Sequence, residues 1–458
     1  MVLRSLLLGA TLALTACGPP ALDLADRRGG APSALPPMKT FPGPRITRPT
    51  RSNTDIARDF LDLTFELESG RAVPVFTRFE GPISLRVRGE IPGSLERDLS
   101  RLLGRLRDEA AIDISRVRPD GPANITIQTI SRRDLERSVP EAACFVVPRV
   151  GSWDEFRANR RNEVTDWTTL SQRETLSIFI PADVPPQELR DCLHEELAQA
   201  LGPLNDLYRL EDSVFNDDNF HTVLTGFDML ILRMTYAPEL QNGMSRAEVT
   251  ERLPAILSRL NPAGSNRPSD GRGPSPRGWI DAIHAALAPR GSQDTRREAA
   301  LEALAIAREE GWDDNRMAFS LFLIGRLTLD VAPGLALGAF LQAANIYSAD
   351  PSTQIHEAHV GMQLAAFALS AGAADQAVAI VDANTDAVIA AENAALLSTL
   401  LFIKVEALQL MGRAGEAQSL RREALGWARY GFGSDEEVRR RMAEIAAITP
   451  EREEETAS

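Results

Sequence analysis

Oxygen-bearing side chains recur at regular spacing in residues 188–206, which read ELRDCLHEELAQALGPLND. Glu195 and Gln199 lie four residues apart, so a helix would place them on one face, and Glu196 would lie at the margin of the apolar face. Asn205 follows shortly after. Carboxylate and amide oxygens suit calcium or magnesium, whereas zinc prefers nitrogen and sulfur ligands. We expect no bound cofactor; if Glu195, Gln199 and Asn205 hold an ion at all, it should be calcium or magnesium and not zinc.

This spacing resembles the zinc-binding helix of the metzincin metallopeptidases, H-E-x-x-H-x-x-G-x-x-H. In that register Glu196 occupies the position of the catalytic glutamate, and Gly202 that of the glycine. The three histidine positions of the motif are occupied by Glu195, Gln199 and Asn205. The literal dipeptide His194-Glu195 does not supply the motif, because its second histidine would fall on Ala198. The resemblance implies a protease-like scaffold that has lost its zinc chemistry.

Glu196 is the candidate catalytic residue. A carboxylate at the edge of an apolar face is unfavourable unless it is paired or protonated. Glu196 is therefore either held by backbone donors or serves as a general base, and Glu195 and Gln199 have the alternative of hydrogen bonding to neighbouring strands. The segment 211–220 is acidic but lacks the spacing of a calcium-binding loop, so we expect a polar surface loop. His221 is expected to be structural.

Alternating and periodic apolar residues predict the elements that position this helix. Residues 83–87, 125–130 and 176–180 read as strands, and Ser94 is expected to cap a helix with a leucine face. Pro185 and Pro186 should open the motif helix directly after a strand. The order predicts an α+β domain, metzincin-like by the resemblance above.

The composition changes after residue 278, where alanine and leucine dominate and helical periodicity is continuous. The segments 372–377 and 412–417 are similar and lie 40 residues apart. This pattern resembles tetratricopeptide-like repeats, so we expect an all-α helical-repeat domain. Stacked helix pairs form a concave surface, which would accept a protein or peptide partner or pack within the chain.

The N-terminus reads MVLRSLLLGATLALTAC, with a short apolar stretch before a cysteine. Residues 14–17 resemble the bacterial lipobox, which implies cleavage before Cys17 and a lipid on that cysteine; the alternative is an ordinary secretion signal. We expect attachment to a membrane on the periplasmic side, and Gly18 favours the outer over the inner membrane. In an oxidising compartment Cys144 and Cys192 are expected to form a disulfide, with two buried thiols as the alternative.

Charge restricts the function further. The chain has 458 residues, a net charge of −14 and a pI near 5.1. Nucleic-acid binding requires a basic surface, so we expect no nucleic-acid partner.

One long block of the sequence points to a known family. It runs from Cys192 through HEELAQALGPLNDLYRL and FNDDNFHTVLTGFDMLILR to Gly243 and Met244, and TRFEGPISLRVRG and CFVVPRVGSWDEF precede it. These segments resemble the bacterial family called domain of unknown function 2927 over residues 54–262. The resemblance implies a metallopeptidase-like fold and no known activity.

The predicted organisation has six parts. They are a lipoprotein signal peptide (1–16), the lipidated cysteine with a flexible Pro/Gly-rich tether (17–53), the family domain (54–262), a linker (263–278), helical repeats (279–448) and an acidic disordered tail (449–458).

We expect an envelope-anchored binding or scaffolding protein rather than an enzyme. One alternative is an active metal-dependent peptidase or amide hydrolase with Glu196 as general base. A second is a purely structural envelope protein.

Overall fold

The computed structural model of the chain describes residues 35–43, 46–140 and 142–450. These residues form two compact units. We call residues 43–274 the sheet unit, and residues 35–42 together with 275–450 the helical unit. Cys17, the predicted signal peptide and the acidic residues 451–458 lie outside the described residues.

A five-stranded sheet is the centre of the sheet unit, with strand order β2-β1-β3-β5-β4. Four strands are parallel, and β4 pairs with β5 in the antiparallel direction. The strands are β1 (Ile83–Arg88), β2 (Ile114–Arg116), β3 (Ile125–Ile130), β4 (Phe145–Pro148) and β5 (Leu176–Pro181). The three strands predicted from alternation are therefore confirmed.

Strand β5 is buried along its whole length because both faces of the sheet are covered. Successive side chains of a strand point to opposite faces. Ile178 accordingly belongs to the main apolar core, whereas Phe179 packs with Val147 and Phe156 in a second, smaller cluster.

The helices of the sheet unit surround this sheet. They are α1 (Asn53–Phe65), α2 (Gly93–Ala110), α3 (Arg132–Ser138), α4 (Trp153–Asn159), α5 (Pro186–Leu201), α6 (Gly226–Thr235) and α7 (Arg246–Leu260). The predicted leucine face of α2 is buried. The predicted cap at Ser94 is wrong by two residues, since Pro92 is the N-cap and its side chain makes no capping hydrogen bond.

Part of the predicted tether is held by the folded units. Arg51 is only 7% exposed and pairs with Asp59 and Asp212 at 3.2 and 2.6 Å. In the helical unit, Phe41 is buried as well. The prediction of a flexible tether up to residue 53 is thus wrong for these residues, because buried charges and an aromatic ring hold them.

The predicted linker 263–278 also packs in part. The carboxylate of Asp55 accepts hydrogen bonds from the Ser269 hydroxyl and the Asp270 backbone N–H, at 2.5 and 3.0 Å. These bonds attach residues of the predicted linker to α1, so the sheet unit continues to residue 274.

The helical unit is a succession of helices in which each packs against the next. They are α8 (Arg277–Leu287), α9 (Gln293–Glu309), α10 (Asn315–Thr328), α11 (Pro333–Tyr347), α12 (Gln354–Ser370), α13 (Ala374–Ala390), α14 (Ala394–Leu410), α15 (Ala414–Gly431) and α16 (Asp435–Ala447). No helix among the described residues has both the length and the apolar character needed to cross a membrane.

The two similar sequence segments form the same turn. Gly372 and Gly412 have φ values of 76° and 77°, a conformation that glycine adopts without steric cost. The N–H of each glycine donates to the carbonyl three residues earlier, and the next N–H donates to the carbonyl five residues earlier. The sequence repeat is therefore a structural repeat, in which a glycine ends one helix and allows the next to return.

The predicted disulfide between Cys144 and Cys192 is confirmed, with a Cα–Cα distance of 5.9 Å. Cys144 immediately precedes β4, and Cys192 lies on α5. The bridge therefore fastens the edge of the sheet to the motif helix.

We expect the double variant Cys144→Ser/Cys192→Ser to lower the free energy of unfolding of the sheet unit by about 4 kcal/mol, because the bridge closes a long loop in the unfolded chain. The sequence separation of the two cysteines is 48 residues. Urea unfolding of residues 18–458 measures the change. As a control, a reducing agent should shift the wild-type midpoint and leave that of the double variant unchanged. Equal midpoints for oxidised wild type and variant would contradict the expectation.

Candidate functional site

Helix α5 carries the motif and is buried on almost every side. It begins with Pro186 after β5 and ends before Gly202. Its buried polar side chains include Arg190, His194, Glu196 and Gln199. A buried polar group is unfavourable unless it has a hydrogen-bond partner or is neutral, so the site depends on how each of these groups is accommodated.

Arg173 satisfies the C-terminal end of α5. Its guanidinium donates to the carbonyl oxygens of Gln199, Ala200 and Gly202 at 2.6, 2.8 and 2.5 Å. The same group lies over the Trp167 ring, 5.3 Å from its centroid. Burial lowers the pKa of Arg173 to about 10, so it remains charged at neutral pH and stabilises the negative end of the helix dipole.

His194 is used structurally. Its Nδ1 accepts a hydrogen bond from the Leu224 backbone N–H at 3.0 Å. Burial, followed by the charges of Arg190 and Arg105, lowers its pKa well below the usual value. The ring is therefore neutral at pH 7 and fixes the start of the segment that leads into α6. At 100° per residue along α5, His194 also lies on a different flank from Gln199.

Asn205 is also committed to the backbone. Its Nδ2 donates to the Asp62 carbonyl at 3.1 Å, and its Oδ1 accepts from the Asp206 N–H at 3.0 Å. Gln199 is buried. The structure thus gives Asn205 a role in holding the chain that follows α5 against α1.

Several carboxyl groups lie near one another beside α5. Burial, together with the neighbouring charges of Glu68, Asp217 and Asp191, raises the pKa of Glu195 to about 8. Burial and the charge of Glu195 raise the pKa of Glu196 well above its usual value. The pKa of Asp206 is likewise raised by burial and by this cluster. A pKa of about 8 leaves Glu195 largely protonated at neutral pH.

Two oxygens of this cluster are not satisfied. Among the described residues, Glu196 Oε2 and Asp206 Oδ1 are buried and have no hydrogen-bond partner. The Val146 N–H of the edge strand β4 donates to the Glu196 carboxyl group, which partly offsets its raised pKa. A buried acid with an unused oxygen, adjacent to other acids, is the kind of group that functional sites retain.

A cavity of about 230 Å³ opens beside the same helix. Glu188, Asp191 and Glu195 line it from α5, and the disulfide of Cys144 and Cys192 forms part of its wall. Burial raises the pKa of Asp191 to about 6 and also raises that of Glu188. The cavity is therefore acidic in composition but only partly charged at neutral pH.

His221 also lines the cavity. Its Nε2 lies 2.9 Å from the Glu211 carbonyl oxygen. The expected structural role thus has a definite partner, and the ring also belongs to the cavity wall.

The segment 211–220 is packed into the sheet unit, so the expectation of a polar surface loop is wrong. Phe215 is fully buried, and Ser213 is buried with it. The Asp228 carboxylate accepts hydrogen bonds from the Ser213 hydroxyl at 2.5 Å and the Val214 N–H at 3.2 Å. Asp228 also completes a capping box with Thr225 at the start of α6.

A buried ion network attaches the chain after α5 to helix α1. Arg209 is 1% exposed and donates to Asp59 and Asp62 at 2.8 and 2.7 Å. Asp59 is shared with Arg51. Burial lowers the pKa of Arg51, but the charges of nearby carboxylates raise it more, so the net shift is upward. These contacts hold the chain that follows the motif helix against α1.

No group of three or more His, Cys, Asp or Glu side chains arranged to hold a metal ion is found within the described part of the chain. The predicted set contains only Glu195 of these types, beside Gln199 and Asn205, and stays a prediction.

Glu188, Asp191 and the cavity were not predicted from the sequence. Residues 188, 191, 192 and 195 are three or four positions apart, so a helix places them on one face, and this spacing could have identified them. What the spacing did not show is that residues 219–222 return to this face and close the cavity.

Comparison with protein families matches residues 53–255 to the family described as "Protein of unknown function (DUF2927)". This match supports the predicted resemblance over residues 53–255, a range that includes the sheet, α5 and the cavity. Searches of the curated proteins and of the solved structures found no match.

Ionisation of the buried acids should make stability depend on pH. The folded pKa of Glu195, about 8, lies above the ordinary value of 4.5. The folded state therefore binds more protons than the unfolded state between these values, and the free energy of unfolding falls as pH rises through this range. We expect Glu195→Gln to weaken this dependence and to raise stability at pH 8.5 by at least about 1 kcal/mol, since one pKa unit corresponds to about 1.4 kcal/mol.

Thermal unfolding of both proteins from pH 5 to 9 measures the effect. Glu251→Gln is the matched control, because Glu251 is exposed on α7. Parallel curves for wild type and Glu195→Gln would show that Glu195 is not held protonated.

Proposed function

We propose that this chain is an envelope-anchored lipoprotein that binds or scaffolds a partner protein, and that its sheet unit is a metallopeptidase-like scaffold without zinc hydrolase activity. The observation that carries the proposal is the chemistry of the motif positions. Oxygen-bearing side chains stand at all three histidine positions, and both ends of the Asn205 amide are bonded to the backbone.

Zinc does not fit these residues. A catalytic zinc site uses three protein ligands and an open position, and its ligands are usually imidazoles. His194, the one imidazole on α5, already accepts the Leu224 N–H through Nδ1 and lies on another flank. We therefore propose no zinc-dependent hydrolysis at this site.

The layout around α5 supports a metallopeptidase-like origin. The helix follows β5 directly, and the antiparallel edge strand β4 donates to the glutamate at the catalytic position through Val146. The match of residues 53–255 to a family of unknown function adds no activity.

The helical unit supports the binding role. Leu301, Leu335 and Leu341 are each more than half exposed. Leu341 also lines a cavity of about 490 Å³, together with Met317 and Ile346. Exposed apolar side chains beside a concavity are typical of protein-interaction surfaces. The proposed partner is therefore a protein or peptide that places apolar side chains in this cavity.

The proposed location rests on the lipobox at residues 14–17 and on cysteine usage. A disulfide between Cys144 and Cys192 suits an oxidising compartment. We propose that lipid on Cys17 holds the protein at the periplasmic side of a membrane, the outer membrane in preference to the inner.

An active enzyme is the second candidate, and Glu196 favours it. Its buried Oε2 has no partner among the described residues, and burial and the charge of Glu195 raise its pKa, as is common for acid–base groups in active sites. Peptide cleavage by the purified protein, supplied with calcium or magnesium and lost in Glu196→Gln, would establish this candidate. A purely structural role would show neither cleavage nor a partner.

The absence of histidine at positions 195, 199 and 205 allows a direct test of the proposed loss of zinc binding. Purified residues 18–458 should hold less than about one zinc per ten chains, because the positions lack nitrogen ligands. The variant Glu195→His/Gln199→His/Asn205→His should gain about one zinc per chain if the scaffold keeps metallopeptidase-like geometry. Elemental analysis after dialysis measures both ratios.

The control for added histidines is Thr250→His/Glu251→His, on the exposed side of α7. It should not gain tightly held zinc. Stoichiometric zinc in the wild-type protein that resists a chelator would overturn the proposed loss of zinc chemistry.

The proposed binding role predicts that capture of a partner protein depends on Leu341. Tagged residues 18–458 should capture a protein from periplasmic extract, and Leu341→Lys should reduce the captured amount about tenfold, as expected for an apolar anchor in a pocket. Quantitative mass spectrometry of the captured proteins measures the change. The control is Ile389→Lys, because Ile389 is exposed on α13 and does not line the cavity. Equal capture by wild type and Leu341→Lys would remove this support.

A further inference from the structure

Residues 36–41, Pro-Pro-Met-Lys-Thr-Phe, lie on helix α15 without forming a helix or strand of their own. We call them the docking segment. Hydrogen bonds to the main chain of this segment hold both of its halves. The Arg429 guanidinium donates to the Pro36 carbonyl at 2.9 Å, and the Lys39 N–H donates to the Gly426 carbonyl at 2.9 Å.

Side chains add specificity to these bonds. Phe41 is 3% exposed and stacks on Trp427, with ring centroids 4.5 Å apart. Lys39 Nζ lies 2.8 Å from a Glu423 carboxylate oxygen and 5.3 Å from the centroid of the Trp427 ring. One tryptophan therefore receives both an aromatic ring and a cation from the same short segment.

Gly426 is the point at which the segment crosses the helix. A Cβ at this position would lie 3.1 Å from Lys39 Cγ and 3.3 Å from the Pro37 carbonyl oxygen. Glycine in a helix interior is unfavourable by about 1 kcal/mol relative to alanine. The missing side chain has a clear use here, since it lets the segment approach the helix backbone.

We propose that the surface formed by Glu423, Gly426, Trp427 and Arg429 is a docking site whose occupant is this chain's own residues 36–41. Pro36, Pro37 and Pro42 restrict the segment to extended conformations, which lowers the entropy lost on docking. Aromatic, cationic and main-chain contacts of this kind are how proteins recognise extended proline-rich segments.

The docking site determines where an N-terminal anchor attaches. This consequence rests on the proposed lipid at Cys17. The sequence alone leads from the anchor into the sheet unit, whereas docking fastens the chain to the helical unit first. Only residues 18–35 then separate the anchor from the helical unit, so the helical repeats are the part of the protein held next to the membrane.

Hydrogen exchange on residues 18–458 tests the docking without any lipid. We expect protection of residues 35–43 in the wild type and at least a tenfold loss of that protection in Gly426→Leu, whose side chain takes the segment's place. Gly415→Leu is the matched control on α15, because nothing lies within 4 Å of a Cβ there. It should keep the protection, and neither substitution should lower the melting temperature.

Phe41→Ala tests the same contact from the segment and leaves α15 unchanged. It too should lose protection. Exchange of residues 35–43 at the rate of an unfolded chain in the wild type would overturn the proposal, as would unchanged protection in both Gly426→Leu and Phe41→Ala. Protection that rises with protein concentration, together with a dimer on size-exclusion chromatography, would overturn the assignment of the occupant to the same chain.

Membrane fractionation of full-length protein and Cys17→Ser tests the anchor separately. We expect Cys17→Ser to release the protein from the membrane fraction. Release with docking intact supports both proposals. Docking without membrane attachment of the wild type would overturn the anchor and the placement of the repeats, while the docking site itself would stand.

Discussion

The sheet unit is organised around a helix with almost no solvent-facing side. Helix α5 must therefore satisfy its polar groups inside the protein, where unpaired groups are costly. At the C-terminal end of the helix, Arg173 donates hydrogen bonds to three backbone carbonyls. In the middle of the helix, His194 accepts a hydrogen bond from a backbone N–H. Neighbouring segments are positioned by these bonds. Glu196 is the member of the helix that keeps an oxygen without a described partner, which singles it out among the motif residues.

Local periodicity was sufficient to predict much of the fold. The strands at 83–87, 125–130 and 176–180, the leucine face of α2 and the similarity of segments 372–377 and 412–417 all depend on short-range patterns. The disulfide was expected from the presence of two cysteines in a chain predicted to be exported. The position of Arg51 could not be predicted, because its partners Asp59 and Asp212 are recognised only after folding brings them together. The same applies to the segment 211–220, which looks polar in sequence but is buried because Asp228 bonds to Ser213 and Val214.

For the candidate site, too, some features follow from the sequence and others arise only when the chain folds. The placement of His194 on a different flank of α5 from Gln199 follows from the spacing alone. The raised pKa of Glu195 depends on burial and then on the charges of Glu68, Asp217 and Asp191, and both causes are tertiary properties.

The recurring glycine turn has a consequence for how the helical half of the chain can change in evolution. Helices α12, α13 and α14 each contain 17 residues, and the turns at Gly372 and Gly412 share the same hydrogen bonds. A helix pair joined by this turn thus occurs twice, and in repeat proteins such a module contacts mainly its neighbours. Duplication or loss of one module would lengthen or shorten the array without requiring new side-chain packing inside the remaining pairs.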